Sequence, residues 1–406
     1  MKSPQQFVDN LLKFNDFGET ENGQIAVGDS SYPQFVNEFW TSRQRQANAL
    51  HEVAYRACFK GQLPRFFIER LTQPGDVVYD PFSGRGTTAI EAALLNRNVI
   101  ANDINPLSAL LAEPRLSPPE LPALQQRLAE IPVDSSAKSD IDLSMFFHPQ
   151  TEAEIVSLRN YLIARRENGS EDATDRWIKM VATNRLTGHS PGFFSVYTLP
   201  PNQAVTPESQ IKINRKRNQS PEYRDVKQLI LRKSKSLCKD LSPGLRLQLS
   251  RVAESAYFLT GDARQTRQVP DETVQLTVTS PPFLDVVQYG ADNWLRCWFN
   301  AIDIAAVEQK MTVTKSLPEW ETVMGAVFRE LHRITRPGGW VAFEVGEVRN
   351  GRIKLDEIVA PLGEAAGFRC PGIVINRQQF TKTANIWGVK NNAKGTNTNR
   401  IVVFNK

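Results

Sequence analysis

Several features that often identify the class of a protein are missing from this chain of 406 residues. It has only four cysteines, and because none of them forms a C-x-x-C pair, neither a zinc site nor a disulfide framework is predicted. We therefore expect no metal. The chain also shows no signal-peptide pattern and no apolar run of about 18 residues, so we expect no membrane partner and a cytoplasmic location.

A large excess of one charge is absent as well. The chain has 49 Lys and Arg residues against 44 Asp and Glu residues, which gives a formal net charge of +5 and an isoelectric point of about 8.9. A balance this mildly basic permits a polyanionic partner but does not require one. The length suggests roughly two or three domains' worth of chain, which is enough for a large core.

Two common nucleotide-binding motifs are incomplete in the glycine-containing stretch that begins at Asp80. A phosphate-binding Walker loop needs a lysine after its last glycine, whereas Thr87 follows Gly86 here. The dinucleotide motif G-x-G-x-x-G also fails, because Ala89 occupies the position of the third glycine. These absences argue against a ligand that is held by its phosphate groups.

The same stretch has the pattern of a strand, a tight loop and a helix start. Residues 77–79 are β-branched or aromatic, as in a buried strand, and residues 89–95 have strong helix propensity. Gly84 and Gly86, which lie between them, permit positive φ and let a ligand approach the backbone. In doubly wound sheets, such a turn at the carboxyl end of the first strand binds nucleotide-like ligands.

A second acid helps to identify the ligand. Asp103 ends the next apolar run, residues 98–102, and an acid in that position suits the two ribose hydroxyls of an adenosine. Since the phosphate-binding motifs are incomplete, this adenosine would carry a cationic group at its other end. The predicted cofactor is therefore S-adenosyl-L-methionine.

The stretch from Asp80 to Thr88 resembles the cofactor motif D-P-F-x-G-S-G-T-T of the amino-DNA methyltransferases, which methylate the exocyclic nitrogen of cytosine or adenine. Arg85 departs from the usual serine of that motif. The resemblance covers residues 40–114 and 255–406 and implies an α/β fold with a Rossmann-like, seven-stranded methyltransferase sheet. The residues that it implies for cofactor binding are Asp80, Pro81, Phe82, Gly84, Gly86, Thr87, Thr88, Asp103 and Asp262.

Asp262 enters this set through a third pattern. An apolar strand over residues 256–260 ends in Gly261-Asp262, which resembles the third motif of the family. An acid at this strand end is positioned to accept a hydrogen bond from the amino group of the cofactor's adenine. The alternative interpretation is an ordinary turn aspartate.

Besides the cofactor motif at residues 80–88, the most specific motif is Ser280-Pro281-Pro282-Phe283, which follows an apolar strand over residues 274–278. Its two prolines stiffen the backbone, so the carbonyl of Pro281 can point at a substrate without a reorganisation cost. Ser280 and this carbonyl can accept hydrogen bonds from an exocyclic amine, and Phe283 can stack on a base flipped out of the duplex. The amine would then attack the methyl group of the cofactor in line. We therefore assign catalysis to the four residues of this motif.

The first residue of the motif indicates the base. In the family, Asp-Pro-Pro-Tyr and Asn-Pro-Pro-Tyr mostly mark adenine, whereas Ser-Pro-Pro-Phe usually marks cytosine at N4. Carbon-5 methylation would need a cysteine nucleophile in a Pro-Cys context at this strand end, and none of the four cysteines supplies one. The prediction is a DNA methyltransferase specific for cytosine N4 in double-stranded DNA. The alternatives are an adenine-N6 or RNA base-amine methyltransferase of the same fold and a non-catalytic DNA-binding protein.

Composition divides the chain into three regions. Residues 1–114 form a lead-in, expected to dock loosely over its first 30 residues, and the cofactor-binding half; residues 115–250 form a mainly helical, basic insert; residues 251–406 form the catalytic half. The insert is either a target-recognition region or a helical accessory. Its basic residues suit phosphate contacts, although a run of charge is usually a solvated face. The candidates for DNA contact are Arg215, Lys216, Arg217, Arg232 and Lys233.

The end of the chain is expected to complete the sheet. Residues 372–376 and 400–404 have strand patterns and should form an antiparallel hairpin, whose polar connection over residues 390–399 would lie at the surface. The resemblance also implies a prokaryotic protein, with a cognate restriction endonuclease as a possible partner that acts separately. The oligomeric state does not follow from these motifs.

Overall fold

The computed structural model describes residues 3–41, 47–56, 58–199, 204–282, 289–312, 314–348, 353–377 and 398–406. Strands in these ranges form one large sheet and one small two-stranded sheet. The strands of the large sheet are β1 Glu21–Val27, β2 Ser30–Asn37, β3 Val77–Asp80, β4 Asn98–Asp103, β5 Tyr257–Thr260, β6 Val274–Thr279, β7 Thr335–Val345, β10 Arg369–Arg377 and β11 Thr398–Asn405. The small sheet pairs β8 Glu347–Val348 with β9 Ile353–Lys354.

The large sheet has nine strands in the order β1-β2-β10-β11-β7-β6-β3-β4-β5. The five strands from β7 to β5 in this order are parallel to their neighbours, while β11 is antiparallel to both β7 and β10. The α/β fold and the terminal antiparallel strand pair were therefore predicted correctly. The connection between β10 and β11 lies outside the described residues.

The predicted number of seven strands was wrong, because the N-terminal hairpin β1–β2 adds two strands to the sheet. β2 pairs in parallel with β10, and its buried Tyr32 and Phe35 pack against the core. β1 is largely exposed, so its polar sequence shows no alternation between buried and solvated faces. That composition explains why the first 30 residues suggested a loose lead-in.

Helices cover both faces of the sheet, since alternate strand residues enter two separate cores. In β7, for example, Trp340 and Ala342 belong to one core, and Val341 and Phe343 belong to the other. The helices are α1 Pro4–Leu12, α2 Gln62–Leu71, α3 Thr87–Leu94, α4 Leu107–Ala112, α5 Leu121–Glu130, α6 Pro149–Glu167, α7 Ala173–Arg185, α8 Pro207–Arg217, α9 Val226–Leu237, α10 Pro243–Ser255, α11 Tyr289–Phe299, α12 Ile304–Lys310, α13 Leu317–Ile334 and α14 Leu355–Ala365.

The first helix is part of the core rather than a loosely docked lead-in. Ser3 caps α1, and a proline occupies its first turn, as expected for a helix start. Phe7 and Leu11 are each 1% exposed. The ring of Phe7 lies 5.3 Å from that of Trp340 in β7, so the N-terminal segment packs directly on the central sheet.

The region between α5 and α10 packs around a buried tryptophan. Trp177 of α7 is fully buried, and its Nε1 donates a hydrogen bond to the hydroxyl of Ser234 in α9 at 2.9 Å. This region also contacts α11, because Trp294 Nε1 donates to the carbonyl of Val205 at 3.2 Å. Helix α10 spans the predicted boundary at residue 250 and packs against α3 and β4. The division into three regions stays a prediction.

Candidate functional site

The candidate site is a cavity at the carboxyl ends of the parallel strands. The chain proceeds from β3 to β4 and β5 on one side of β3, and then places β6 on the other side. Such a reversal of strand order leaves a crevice where ligands of α/β proteins bind. The predicted residues that line this cavity are Asp80, Pro81, Phe82, Gly84, Thr87, Asp103, Asp262, Ser280, Pro281 and Pro282. Phe283 lies outside the described residues.

Asp80 connects the predicted cofactor loop to β6, the strand that precedes the predicted catalytic motif. Its carboxyl group is 1% exposed, and its Oδ1 accepts hydrogen bonds from the Thr279 hydroxyl at 2.6 Å and from the Phe82 amide at 3.2 Å. Burial raises the pKa of Asp80 to about 7, although these hydrogen bonds oppose the increase. A bound cation would favour the ionised form of this buried acid.

The two glycines of the loop have different surroundings. Gly86 has a φ of +78°, and a Cβ at this position would overlap the Cβ of Ala112 and lie 3.3 Å from its Cα. Gly84 has a φ of +52°, but the nearest atom to a Cβ there would be Cys58 Sγ, at 3.5 Å. Gly86 therefore permits close packing of α3 on α4, while Gly84 lies at the cavity. Gly86 and Thr88 are the two predicted cofactor residues that do not line it.

The rest of the loop is attached to its neighbours by hydrogen bonds. The Thr88 hydroxyl donates to the carbonyl of Val278 in β6 at 2.9 Å, so its side chain fixes the start of α3 to the catalytic strand. Arg85, at the position where the family usually has serine, is buried and donates to the carbonyls of Val53 at 2.9 Å and Phe59 at 3.1 Å. This arginine thus supports the segment that forms the opposite wall of the cavity.

Asp103 holds the loop and faces the cavity. Its Oδ2 accepts a hydrogen bond from the Gly84 amide at 2.8 Å, and its Oδ1 accepts one from the Asn105 amide at 2.9 Å. Burial raises the pKa of Asp103 to about 6, against the effect of these backbone hydrogen bonds. Because each carboxylate oxygen has two lone pairs, Asp103 retains acceptor capacity for a pair of ribose hydroxyls.

Asp262 follows β5 and already has a cationic partner. Nε of Arg264 lies 2.9 Å from both of its carboxylate oxygens, and the Arg264 amide donates to Oδ1 at 2.8 Å. The Arg264 guanidinium lowers the pKa of Asp262, and both side chains are 41% exposed. An adenine amino group would therefore have to compete with Arg264 for this carboxylate.

Glu344 is a site residue that the sequence analysis missed. It lies in β7 one residue after Phe343, which pairs with Thr279 of β6, and it is 8% exposed. Burial raises the pKa of Glu344, and hydrogen bonds with Ser280 and Asn399 oppose the increase. Asn399 Nδ2 donates to Oε1 of Glu344 at 2.9 Å. The available signal was a single acid within the apolar run Trp-Val-Ala-Phe-Glu-Val, residues 340–345.

Two other segments complete the cavity. One is the stretch before α2, which contributes Tyr55, Arg56, Cys58 and Phe59, and the other includes the apolar face of α13. Trp320 of α13 donates from Nε1 to the carbonyl of Pro282 at 3.0 Å, so this helix helps to fix the catalytic motif. Neither segment carries a local motif from which its place at the site could be predicted.

The five basic residues proposed for DNA contact lie on two helices. Arg215, Lys216 and Arg217 are exposed in the last turn of α8, where the Arg217 guanidinium lies 3.8 Å from the centre of the Tyr197 ring. Arg232 is exposed on α9, whereas Lys233 is half-buried, with its Nζ 3.4 Å from a carboxylate oxygen of Glu52.

Two searches of the described part of the chain gave no candidate. No helix there is long and apolar enough to span a membrane. In the same residues, no group of three or more His, Cys, Asp and Glu side chains is arranged to hold a metal ion.

Comparison with known proteins finds similarity over part of the chain. Residues 13–113 match the family model N6_N4_Mtase, described as DNA methylase. The type II methyltransferase M.MjaII of Methanocaldococcus jannaschii is 32% identical over 89 residues, which cover 22% of this chain and 16% of that protein. A tRNA (guanine(37)-N(1))-methyltransferase of Drosophila pseudoobscura pseudoobscura is 51% identical over 41 residues, which cover 10% of this chain and 9% of the relative.

The chain thus spans less than a fifth of the length of either relative. Among solved structures, the rRNA methyltransferase aviRa of Streptomyces viridochromogenes is 13% identical. That alignment covers 90% of this chain and 93% of aviRa, with a TM-score of 0.35.

Proposed function

We propose that this chain, which belongs to the amino-DNA methyltransferase family, transfers a methyl group from S-adenosyl-L-methionine to the exocyclic N4 of cytosine in double-stranded DNA. One observation carries the proposal. The loop from Asp80 to Thr88 and the motif that begins at Ser280 end adjacent parallel strands, joined by the hydrogen bond between Thr279 and Asp80. A cofactor site and an amine-binding site are therefore in contact.

The acidic residues of the cavity suit a cationic cofactor. Asp80 is buried and Asp103 is half-buried, both carboxyl groups have raised pKa values, and their ionised forms would gain most from a nearby positive charge. Asp103 would accept hydrogen bonds from the ribose hydroxyls, and Asp262 would accept one from the adenine amino group. When bound, S-adenosyl-L-methionine supplies an electrophilic methyl group next to these acids.

Ser280 and the carbonyl of Pro281 would hold the amino group of the target base. Pro281 is buried and Pro282 half-buried, so the backbone at the motif is fixed before the substrate arrives. Two accepted hydrogen bonds would draw the amine lone pair out of conjugation with the ring. This lone pair would form the new bond to the methyl carbon while the bond from that carbon to the sulfonium sulfur breaks, with S-adenosyl-L-homocysteine as the leaving group.

An amine that gains a methyl group must lose one proton. Glu344 is a buried carboxyl group in hydrogen-bonding contact with Ser280, and burial raises its pKa. A carboxylate of raised pKa accepts a proton more readily near neutral pH. We infer that Glu344 positions the Ser280 hydroxyl and receives the proton through it.

The serine at position 280 favours cytosine N4 over adenine N6, because adenine enzymes of the family mostly have Asp or Asn there. An RNA base amine is a second candidate, and the similarity over 41 residues to a tRNA methyltransferase supports an RNA substrate, although the target named for that relative is the ring nitrogen N1 of guanine. A non-catalytic DNA-binding protein is less well supported, since Ser280, Pro281 and Pro282 all line the same cavity as the cofactor loop. By similarity to a type II methyltransferase, the enzyme would act in a prokaryotic cytoplasm beside a separate restriction endonuclease.

The test is methyl transfer from labelled S-adenosyl-L-methionine to mixed-sequence double-stranded DNA and, in parallel, to RNA. The nucleosides are then separated and identified by mass. N4-methylcytosine is the expected product, and N6-methyladenine or a methylated RNA base would move the proposal to one of its alternatives. Ser280→Ala should cut turnover while cofactor binding, measured by titration, is largely retained. An unchanged rate in this variant would contradict the catalytic role of Ser280.

A further inference from the structure

A group of positive side chains surrounds Glu52 beside the candidate site. The Nζ of Lys233 in α9 lies 3.4 Å from one carboxylate oxygen of Glu52, and the Nζ of Lys239 lies 3.9 Å from the other. The Ser236 hydroxyl donates to the same carboxylate at 3.4 Å. The nearby Asp240 accepts a hydrogen bond from the Ala49 amide at 2.8 Å.

Arg185 adds a third cation that has no acidic partner among the described residues. Its guanidinium lies 3.9 Å from the centre of the Phe193 ring, and its side chain donates only to the carbonyl and the side-chain oxygen of Asn184, at 3.1 and 2.9 Å. Burial lowers the pKa of Arg185 to about 10, with a further contribution from the positive charge of Arg296.

Lys233 is affected in the same direction. Burial lowers its pKa to about 8, and the charge of Arg185 lowers it further. Glu52 opposes both shifts, but the three cations outnumber Glu52 and Asp240, which leaves an excess of positive charge in the group. The group therefore favours an anionic ligand.

This group is attached to the wall of the candidate cavity. Asn184 Nδ2 donates to the carbonyl of Ala54 at 2.9 Å, and an Nη of Arg296 donates to the same carbonyl at 3.1 Å. The next two residues, Tyr55 and Arg56, line the cavity. Asn184 and Arg296 are thus held on the chain segment that forms one side of the site, and Arg185 follows Asn184 in α7.

We propose that Arg185, Lys233 and Lys239 bind a backbone phosphate of the DNA strand that carries the target base. This inference rests on the proposed function and adds a contact for its substrate. A nucleotide that is flipped into an active site keeps its phosphates near the entrance, where cations can hold them. Lysine supplies a point charge and arginine supplies several directed donors, so the two residue types suit one phosphodiester group. Of these three residues, only Lys233 was among the sequence-based candidates.

The test compares charge-removing variants of the full chain for binding to a double-stranded oligonucleotide at several salt concentrations. Arg185→Gln and Lys239→Gln should each weaken binding, and together they should reduce the slope of log affinity against log salt by at most about 0.9, the value for one lost phosphate contact. Glu52→Gln removes the competing carboxylate and should strengthen binding. The matched control is Arg251→Gln on α10, an exposed cation with no ion pair among the described residues.

Opposite effects of Arg185→Gln and Glu52→Gln would support the proposal, because loss of folding cannot strengthen binding. Arg185→Lys keeps the charge and should restore most of the affinity. Unchanged affinity and salt slope in Arg185→Gln and Lys239→Gln, with wild-type protein still binding DNA, would overturn this inference alone. Failure of the proposed function is read separately, from cofactor titration and labelled methyl transfer by the wild-type protein. A phosphate contact that appears only with an RNA oligonucleotide would overturn the assignment to DNA.

Discussion

The hydroxyl of Thr279 donates a hydrogen bond to Oδ1 of Asp80 at 2.6 Å, and both residues are almost fully buried. Thr279 ends β6 and Asp80 ends β3, so this contact joins the strand that precedes the catalytic motif to the strand that precedes the cofactor loop. A donor to a buried carboxyl group is costly to remove, because the acid then loses its compensation for burial.

Thr279→Val should therefore destabilise the protein by about 1–3 kcal/mol. Thr277→Val is the matched control, since Thr277 is buried in the same strand but its hydroxyl has no hydrogen-bond partner. That substitution should be neutral or stabilising. Chemical denaturation of both variants checks the difference, and equal losses of unfolding free energy would argue against the role given to the Thr279 hydroxyl.

The contribution of Asp80 to the unfolding free energy of the unliganded protein should decrease as the pH rises from about 4 to 7. The pKa of an unfolded aspartate is about 3.9. The pKa of Asp80 in the fold is raised to about 7. Between these values the folded protein holds a proton that the unfolded chain has released, so raising the pH favours unfolding. Asp103, with a pKa of about 6, adds an effect of the same sign.

Asp80→Asn should remove most of this dependence, which is on the order of 4 kcal/mol for a shift of this size. The measurement is the unfolding free energy of wild type and variant from pH 4 to 8. The unfolding free energy of the variant should increase relative to that of the wild type as the pH rises. Parallel curves of unfolding free energy against pH would show that the pKa of Asp80 is not raised in the fold.

Gly86→Ala should be far more damaging than Gly84→Ala. Both positions have positive φ, which costs an alanine about 1–2 kcal/mol. Only at Gly86 would the added methyl group overlap Ala112, which adds about 1–3 kcal/mol for overpacking. Thermal unfolding separates the two cases, with Gly84→Ala as the control. Similar melting temperatures would mean that α4 moves away easily.

Arg264→Gln should tighten binding of S-adenosyl-L-methionine. The variant frees the Asp262 carboxylate, to which Arg264 now donates from Nε at 2.9 Å. Because both side chains are 41% exposed, the gain should be small, roughly two- to five-fold. Calorimetric titration measures it, with Arg251→Gln as a charge-matched control. Weaker binding would indicate that Arg264 itself contacts the cofactor.

Glu344→Gln should lower turnover on the order of 10²-fold while leaving cofactor affinity nearly unchanged. The wild-type rate should fall on the acid side of its pH profile, where Glu344 becomes protonated and can no longer receive a proton. The variant should lack this acid limb. Single-turnover rates over a range of pH check both points, and a retained acid limb would exclude Glu344 as the titrating group.

Much of the site could be predicted because its chemistry lies in short continuous motifs. The loop from Asp80 to Thr88 and the motif from Ser280 to Pro282 each follow an apolar strand, so periodicity places both at strand ends. Gly86 does not line the cavity although Gly84 does, and nothing in the sequence distinguishes these two glycines. The spacing of the two glycines indicates a turn, but it does not indicate which residues pack against each glycine.

The number of strands was missed for a related reason. β1 is exposed and polar, and a strand at the edge of a sheet needs no apolar pattern because only one of its sides is paired. Its partner β2 joins β10, which is more than 330 residues away in the chain. No local signal encodes a pairing at that distance.

By itself, the sequence determined the strand ends, the composition of the proposed cofactor loop and the identity of the groups proposed to face an amine, since these depend on residues that are neighbours in the chain. Only the tertiary structure decided three side-chain contacts. Glu344 forms a hydrogen bond with Ser280, and Arg264 donates to the carboxylate of Asp262. Arg185 lies close enough to Lys233 for their charges to interact. The pairing of β6 with β7 brings Glu344 to Ser280, and the packing of α7 on α9 brings Arg185 towards Lys233. Such contacts depend on which elements become neighbours when apolar surface is buried. The spacing of side chains along one element does not indicate which other element will pack against it.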